Sequence, residues 1–193
     1  MKADTTAIIL AAGKSKRLGQ HKALLKLGDH SLIHFLIERL EFINLDIVIV
    51  TNKDLCNKLK RYKKLGKISL VIPENTKNRT GNLIAGIKSI KNLGNILVVP
   101  VDRPGWSINT VQKLLKMKET CCPEFEGRGG HPLFIHKSDV MKLVNYPECS
   151  PLNQIFNSIK IKVKDPELHL NIDTEKDISD LKKFYENNIQ EIR

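Results

Sequence analysis

Short apolar runs rich in Ile and Val recur through the first half of the chain, at 7–12, 46–51, 68–72 and 95–101, with segments of helical period between them. Brief, β-branched, unalternated runs mark strands covered on both faces, and helices placed between them supply the cover. The spacing predicts helices at about 31–42, 53–64, 81–92 and 107–119. Ile33, Leu36, Ile37 and Leu40 repeat at i, i+3, i+4 and i+7, and Leu83, Ile84, Ile87 and Ile90 nearly so, as one buried helix face requires. Such alternation leaves few folds: an α/β class, with a Rossmann-like, mostly parallel sheet and helices on both faces. Ser31 and Ser107 stand where two of these helices would be capped.

Beyond residue 120 the pattern is less regular. A strand is expected near 132–136, a helix over 138–144 and a strand near 159–163. A last helix begins at Thr174, where Asp177, three residues on, gives an acidic first turn. The adjacent Cys121 and Cys122 before Pro123 read as the end of a buried strand. There is no internal repeat, low-complexity segment or clear linker, and 147–151, bounded by prolines, is the candidate flexible loop. A length of 193 residues suits one domain with a sizeable core.

The net charge is +11, yet 165–193 holds eight acids against four bases, so the positive excess lies in the earlier part. An anionic partner is expected. Aromatic residues make up 5% and do not interleave with Lys and Arg, which argues against a single-strand-binding platform. The basic run 58–64 reads as the solvated face of a helix. No apolar run approaches the roughly 20 residues of a membrane span, and the first residues pass into a strand without an apolar signal region. No membrane partner and a cytoplasmic location are therefore expected. Cys56, Cys121, Cys122 and Cys149 form no C-x-x-C pair, so reduced thiols are expected, without zinc or redox chemistry.

The loop AAGKSKRLGQHK, 11–22, leaves the first strand. In an open parallel sheet, ligands bind beyond the carboxyl ends of the strands, where the strand order reverses. Gly13 and Gly19 permit tight turning and let backbone N–H groups approach a phosphate, while Lys14, Lys16, Arg17 and Lys22 neutralise its charge. A nucleoside triphosphate is the natural guest. Two commoner phosphate loops are excluded by spacing. Gly13-Lys14-Ser15 half matches a P-loop, but its first glycine would fall at Ile8; the dinucleotide fingerprint fails because five residues part Gly13 from Gly19. Spacing alone therefore leaves a glycine-bounded basic loop, either a ligand site or a surface turn.

The longer stretch LAAGKSKRLGQHKALL, 10–25, resembles the L-A-A-G-x-S-x-R-[ML]-G-x-x-K-x-L-L signature of the molybdenum cofactor cytidylyltransferase-like nucleotidyltransferases. Three further resemblances follow in order: PVDRP at 100–104 to P-V-D-x-P, GHPLF at 130–134 to G-H-P-x-x-F, and NIDTEKDI at 171–178 to D-I-D-T-P-E-D-L. Together they span nearly the whole chain, from residue 7 to about 181.

The resemblance implies transfer of a nucleoside monophosphate from a nucleoside triphosphate to a phosphorylated acceptor, with release of pyrophosphate and a need for Mg²⁺. It assigns nucleotide binding to about 1–105 and acceptor binding to about 106–193. Arg17 and Lys22, a planar fork and a point charge, would hold the triphosphate; Lys14 and Lys16 would act by attraction at long range. Leu10, Ala11, Ala12 and Gly13, with Thr80, Gly81 and Asn82, would contact base and ribose. Asp102 follows a strand at the ligand edge and is either the cap of a turn or, as the resemblance implies, a catalytic Mg²⁺ ligand. The second ligand would be Asp173, with Asn171 in reserve. Arg128, Gly130 and His131 fit an acceptor loop, where His131 is either a turn residue or a ligand contact.

L-A-A-G accompanies cytidylyl transfer more often than guanylyl transfer in these relatives, which points to CTP. Asn82 stands where a serine is common. The segment 148–156 replaces a G-D-x-G-A-R stretch usual in the cytidylyltransferases, so the acceptor stays open between molybdopterin, a sugar phosphate and another small phosphate. A guanylyl or sugar-phosphate nucleotidyltransferase, or a non-catalytic regulator or nucleic-acid-binding protein on the same fold, are the alternatives. The assembly expected is a monomer or weak homo-oligomer.

Overall fold

The computed structural model describes residues 4–13, 18–60, 68–74, 78–146 and 151–192. Lys14, Lys16 and Arg17, Cys149, most of the expected loop 147–151, and 61–64 of the basic run lie outside the described residues.

Strand β1 (Thr5–Leu10) is the centre of the sheet, parallel to β4 (Asp46–Val50) on one side and to β6 (Asn95–Pro100) on the other. β5 (Ile68–Val71) extends the first side, again in parallel. The side chains of β1 alternate between two cores. Ala7 and Ile9 face α1 (Leu32–Phe42) and α7 (Glu175–Asn188), through Leu32, Phe35, Leu36, Leu181 and Phe184. Ile8 faces α3 (Arg79–Lys88) and α5 (Lys137–Val144), through Leu83, Ile84, Ile87, Val140 and Leu143. Both faces are thus covered, which is why these strands read as continuous apolar runs. α3 packs so closely that a Cβ on Gly86 would come within 2.7 Å of Val50 Cγ2.

The expected strands and helices of this half are present, with shifted ends. α3 starts two residues early because the Asn78 side chain accepts from Gly81 N at 2.8 Å, and it closes at Lys88 with Ser89 turned back onto Gly86 O. α2 (Lys53–Leu59) is capped in the same way by Asn52. Ser107 caps α4 (Ile108–Leu114) through Thr110 N at 3.1 Å, whereas the Ser31 hydroxyl, at the N-cap of α1, bonds the His34 ring instead.

In the second half the sheet continues β6-β9-β7-β10, where β9 (Leu133–Ile135) lies antiparallel to both neighbours and β10 (Ile159–Lys162) parallel to β7 (Cys121–Phe125). The two-residue β8 (Arg128–Gly129) folds back on β7 across a turn in which Gly127 has φ +80. One correction concerns Cys121 and Cys122, which open β7 rather than end a strand. α4 stops at Leu114, earlier than expected, because the chain tightens into three-residue turns at Lys116 and Met117 and is then free to enter the sheet. Burial pushes the Cys121 thiol up to about 12, and Cys56, Cys121 and Cys122 are free thiols. Like β8, two more short elements had no sequence signal: the β2 (Lys26–Leu27) and β3 (His30–Ser31) hairpin, turning at Gly28 with φ +57, and α6 (Leu152–Ile155). No described helix is long and apolar enough to cross a membrane.

Candidate active site

From β1 the chain moves outward through β4 and β5, then crosses back to place β6 on the other side. The carboxyl ends of β1 and β6 therefore open a crevice. The last rungs there are Ala11 N to Val50 O at 2.8 Å and Val101 N to Leu10 O at 3.1 Å. A cleft of about 730 Å³ lies at this edge, within the roughly 300–1,000 Å³ usual for ligand sites.

Several parts of the chain wall it, Pro151 and Leu152 among them. The turn after β1 gives Ala11, Ala12 and Gly13, and among the described residues nothing lies within 4 Å of where a Gly13 Cβ would stand. His21 and Lys22 come next, at the start of a short 3-10 turn. The N-terminal turn of α3 contributes Arg79, Thr80 and Asn82, and the end of β6 contributes Pro100, Val101 and Asp102, with His131 beside them. Asp173 enters from the segment ahead of α7.

That segment is fixed by hydrogen bonds. Ile172 N donates to Asp102 O at 3.0 Å, so the two aspartates are tied through their backbones although 71 positions apart in sequence. The Asp177 carboxylate accepts from Asp173 N at 2.9 Å and Thr174 N at 2.7 Å, forming the capping box of α7. These two backbone bonds hold the Asp177 acid below the usual carboxylate range. Asn171 Nδ2 donates to Asp173 Oδ2 at 2.6 Å and orients it. Of the two alternatives, Asp173 reaches the cleft and Asn171 supports it.

Below Asp102 lies a buried cation. Arg39 of α1 donates to the carbonyls of Pro104 and Trp106, and its guanidinium stacks 3.9 Å from the Trp106 ring. The tight fit continues at Gly105, whose Cβ would stand 1.8 Å from Glu167 O. The Asp102 turn is thus clamped between α1 and the segment leading to Asp173.

At the centre, Lys22 Nζ lies 2.6 Å from Asp173 Oδ1 and 3.4 Å from Asp102 Oδ2. Arg79 approaches Asp102 Oδ2 to 4.0 Å with a largely exposed side chain. Burial is the main cause lowering the His131 pKa to about 4, aided by Arg103 and opposed by Asp102, so the ring is neutral at pH 7. Its Nδ1 is buried with no partner among the described residues. His21 is also pushed down, by burial and then by Lys58, and its Nε2 pairs with Asn52 Nδ2 at 3.1 Å.

The sequence expectations divide clearly. Leu10, Ala11, Ala12, Gly13, Lys22, Asn82, Asp102, His131 and Asp173 line one cleft, and Arg17 lies outside the described residues. Gly81, Arg128 and Gly130 are not in its wall. The Gly81 N–H is taken by Asn78, Arg128 is exposed on β8, and Gly130 lies against Leu168, which its Cβ would meet at 2.7 Å. Sequence reasoning did not single out His21 or Arg79. Position beside Lys22 was the available signal for the first, and an arginine two residues before Gly81 for the second.

Two aspartates and an ammonium at the phosphate edge of a parallel sheet suit the handling of a polyphosphate and a hard divalent cation. No cluster of three or more His, Cys, Asp or Glu residues exists among the described residues, so a cation here would complete its shell with water or substrate oxygens.

Comparison with known proteins agrees with this geometry. Over 185 residues, 92% of this chain and 95% of the other, the sequence is 23% identical to the molybdenum cofactor cytidylyltransferase of Escherichia coli. It is 36% identical over 101 residues, about half of each chain, to a probable molybdenum cofactor guanylyltransferase of Thermococcus sibiricus, and 47% identical over 51 residues to that of Carboxydothermus hydrogenoformans, 26% of each chain. The fold matches the crystal structure of a Mycobacterium sp. strain JC1 homologue of the Mycobacterium tuberculosis protein Rv0371c, with TM-score 0.79, 20% identity and coverage of 95% and 97%. The model of the MobA-like NTP transferase domain matches residues 7–162, and the chain belongs to that family of nucleotidyltransferases.

Proposed function

We propose that the protein transfers CMP from CTP to a small phosphorylated acceptor such as molybdopterin, releasing pyrophosphate, with Mg²⁺ held by Asp102 and Asp173. The observation that carries the reading is the convergence of Lys22, Asp102 and Asp173 at the carboxyl ends of β1 and β6. In this reaction an acceptor phosphate oxygen bonds to the α-phosphorus as the bond to the pyrophosphate oxygen breaks. Charge builds on the leaving group, so positioning and electrostatic stabilisation do most of the work. Lys22 and Arg17 neutralise the triphosphate, and the backbone of Ala12 and Gly13 lets it approach. Mg²⁺ bound at the aspartates supplies divalent charge over the reacting phosphates. Asn171 and Asp177 hold Asp173 on line, and Ile172 does the same for Asp102. Neutral His131, beside Arg103, stands at the acceptor side.

Ala12 underlies the choice of base. It lies in the cleft wall, and the L-A-A-G motif it belongs to resembles that of cytidylyl rather than guanylyl transferases, for which L-A-G-G is usual. A second reading, guanylyl transfer, draws on the higher local identity to the two probable guanylyltransferases. Thermal melts with Mg²⁺ and each of the four nucleoside triphosphates separate the two. A ligand at a hundredfold excess over Kd adds about 2.7 kcal/mol, so the true substrate stands out. Pyrophosphate release with CTP and molybdopterin completes the test; release with GTP alone moves the assignment to the second reading.

A further inference from the structure

The carboxylates read above as metal ligands already share a cation. Lys22 Nζ lies between Asp173 Oδ1 and Asp102 Oδ2, and the three side chains are only 14%, 29% and 17% exposed. Two like charges this close, in a partly desolvated cleft, hold a cation between them more strongly than either would alone. The lysine supplies that cation from within the chain. Among the described residues it lines the same cleft as Ala11, Ala12 and Gly13. A divalent cation on the same two oxygens would be repelled by the Nζ, and the triphosphate offers the ammonium another anion to turn to.

We propose that Lys22 is a built-in competitor for the metal. In the nucleotide-free protein its ammonium neutralises Asp102 and Asp173 and keeps free divalent cations out; a bound triphosphate draws it away, so metal and nucleotide load together. The coupling is reciprocal, each ligand strengthening the other, and Lys22 is the element both act on. Arg79, at 4.0 Å from Asp102 Oδ2, is too exposed to replace it. The inference rests on the reading of Asp102 and Asp173 as metal ligands.

Titration of the full chain with Mn²⁺, without nucleotide and followed by electron paramagnetic resonance, tests it. Lys22→Met and Lys22→Gln are expected to bind Mn²⁺ about tenfold or more tightly than wild type, and Lys22→Arg to stay as weak as wild type. Adding Asp102→Asn to Lys22→Met should abolish the gain. Two variants that remove the ammonium guard against one failing to fold, which circular dichroism checks. If both bind Mn²⁺ no more tightly than wild type while Asp102→Asn still weakens binding, the competitor role is overturned and the metal site stands. If Asp102→Asn and Asp173→Asn leave Mn²⁺ binding unchanged in every background, the metal reading itself falls.

Discussion

The two halves of the sheet are built differently. β1, β4, β5 and β6 run parallel, and the central three bury nearly every side chain against helices. β7, β8, β9 and β10 are mixed in direction, β8 and β9 have only two and three residues, and β10 is mostly exposed. The parallel half presents strand ends as a fixed ledge for phosphates. The other half carries no such ledge and reaches the cleft through His131 and, past β10, through the segment that brings Asp173. A regular scaffold of parallel strand ends thus faces one that enters the cleft from shorter, less regular elements.

The strongest way to break this contrast is at the point where the halves meet. Asp102→Ala is expected to lower nucleotidyl transfer a hundredfold or more, on the order of 3 kcal/mol, with an unchanged melting temperature. Wild-type turnover in that variant would remove Asp102 from the chemistry. Next comes a pH effect at His131. The His131 pKa falls from 6.5 in the unfolded chain to about 4 when folded. The unfolded chain therefore binds the extra proton between those values, and stability is lost as pH falls from 6.5 toward 4, by about 2–3 kcal/mol from this one group. Urea unfolding at pH 7.5 and pH 4.5 should show a smaller difference in His131→Asn, which keeps a neutral polar group at every pH.

Much of the parallel half was legible because its strands and helices carry long, consistent periodicities. The pattern fades where elements shorten to two residues, as in β2, β3 and β8, since two residues have no period. Arg39 shows another limit. It lies on the same stripe of α1 as Leu32, Phe35 and Leu36, so its place in the core was written in the spacing, yet a charged side chain reads as solvent-facing until Trp106 and two carbonyls are seen around it. For the site, motif resemblance brought Lys22, Asp102 and Asp173 forward, but not their mutual contact. Arg128 stands on β8, while Arg103 and Arg79 are the cations whose charge acts on His131. Distances between residues 71 or more positions apart have no local signature.

Two glycines sharpen the comparison further. Gly86→Ala presses a methyl on Val50 and Ile8 in the parallel half, and Gly130→Ala presses one on Leu168 in the other. Each is expected to cost about 1–2 kcal/mol of stability by overpacking. Only Gly130→Ala, next to His131, should also raise the KM for the acceptor; KM for the nucleotide should stay put in both. An equal rise in acceptor KM from Gly86→Ala would mean that the halves do not divide the substrates.

The smallest effect expected is the most discriminating about how Asp173 is held. Asp177→Ala removes the carboxylate that accepts from Asp173 N and Thr174 N, and with it one arm of the capping box of α7, whose N-cap is Thr174. Loss of such a cap costs about 1 kcal/mol, a shift of a few degrees in melting temperature. If the capping box serves the helix alone, kcat and metal dependence remain as in wild type once the protein is held well below its melting point. If it also aims Asp173, the Mg²⁺ concentration for half-maximal rate rises severalfold while the KM for the acceptor does not move, because His131 hangs from a different element. Asp177→Asn, which retains an acceptor oxygen, should recover most of both losses, tying them to the hydrogen bonds rather than to the charge.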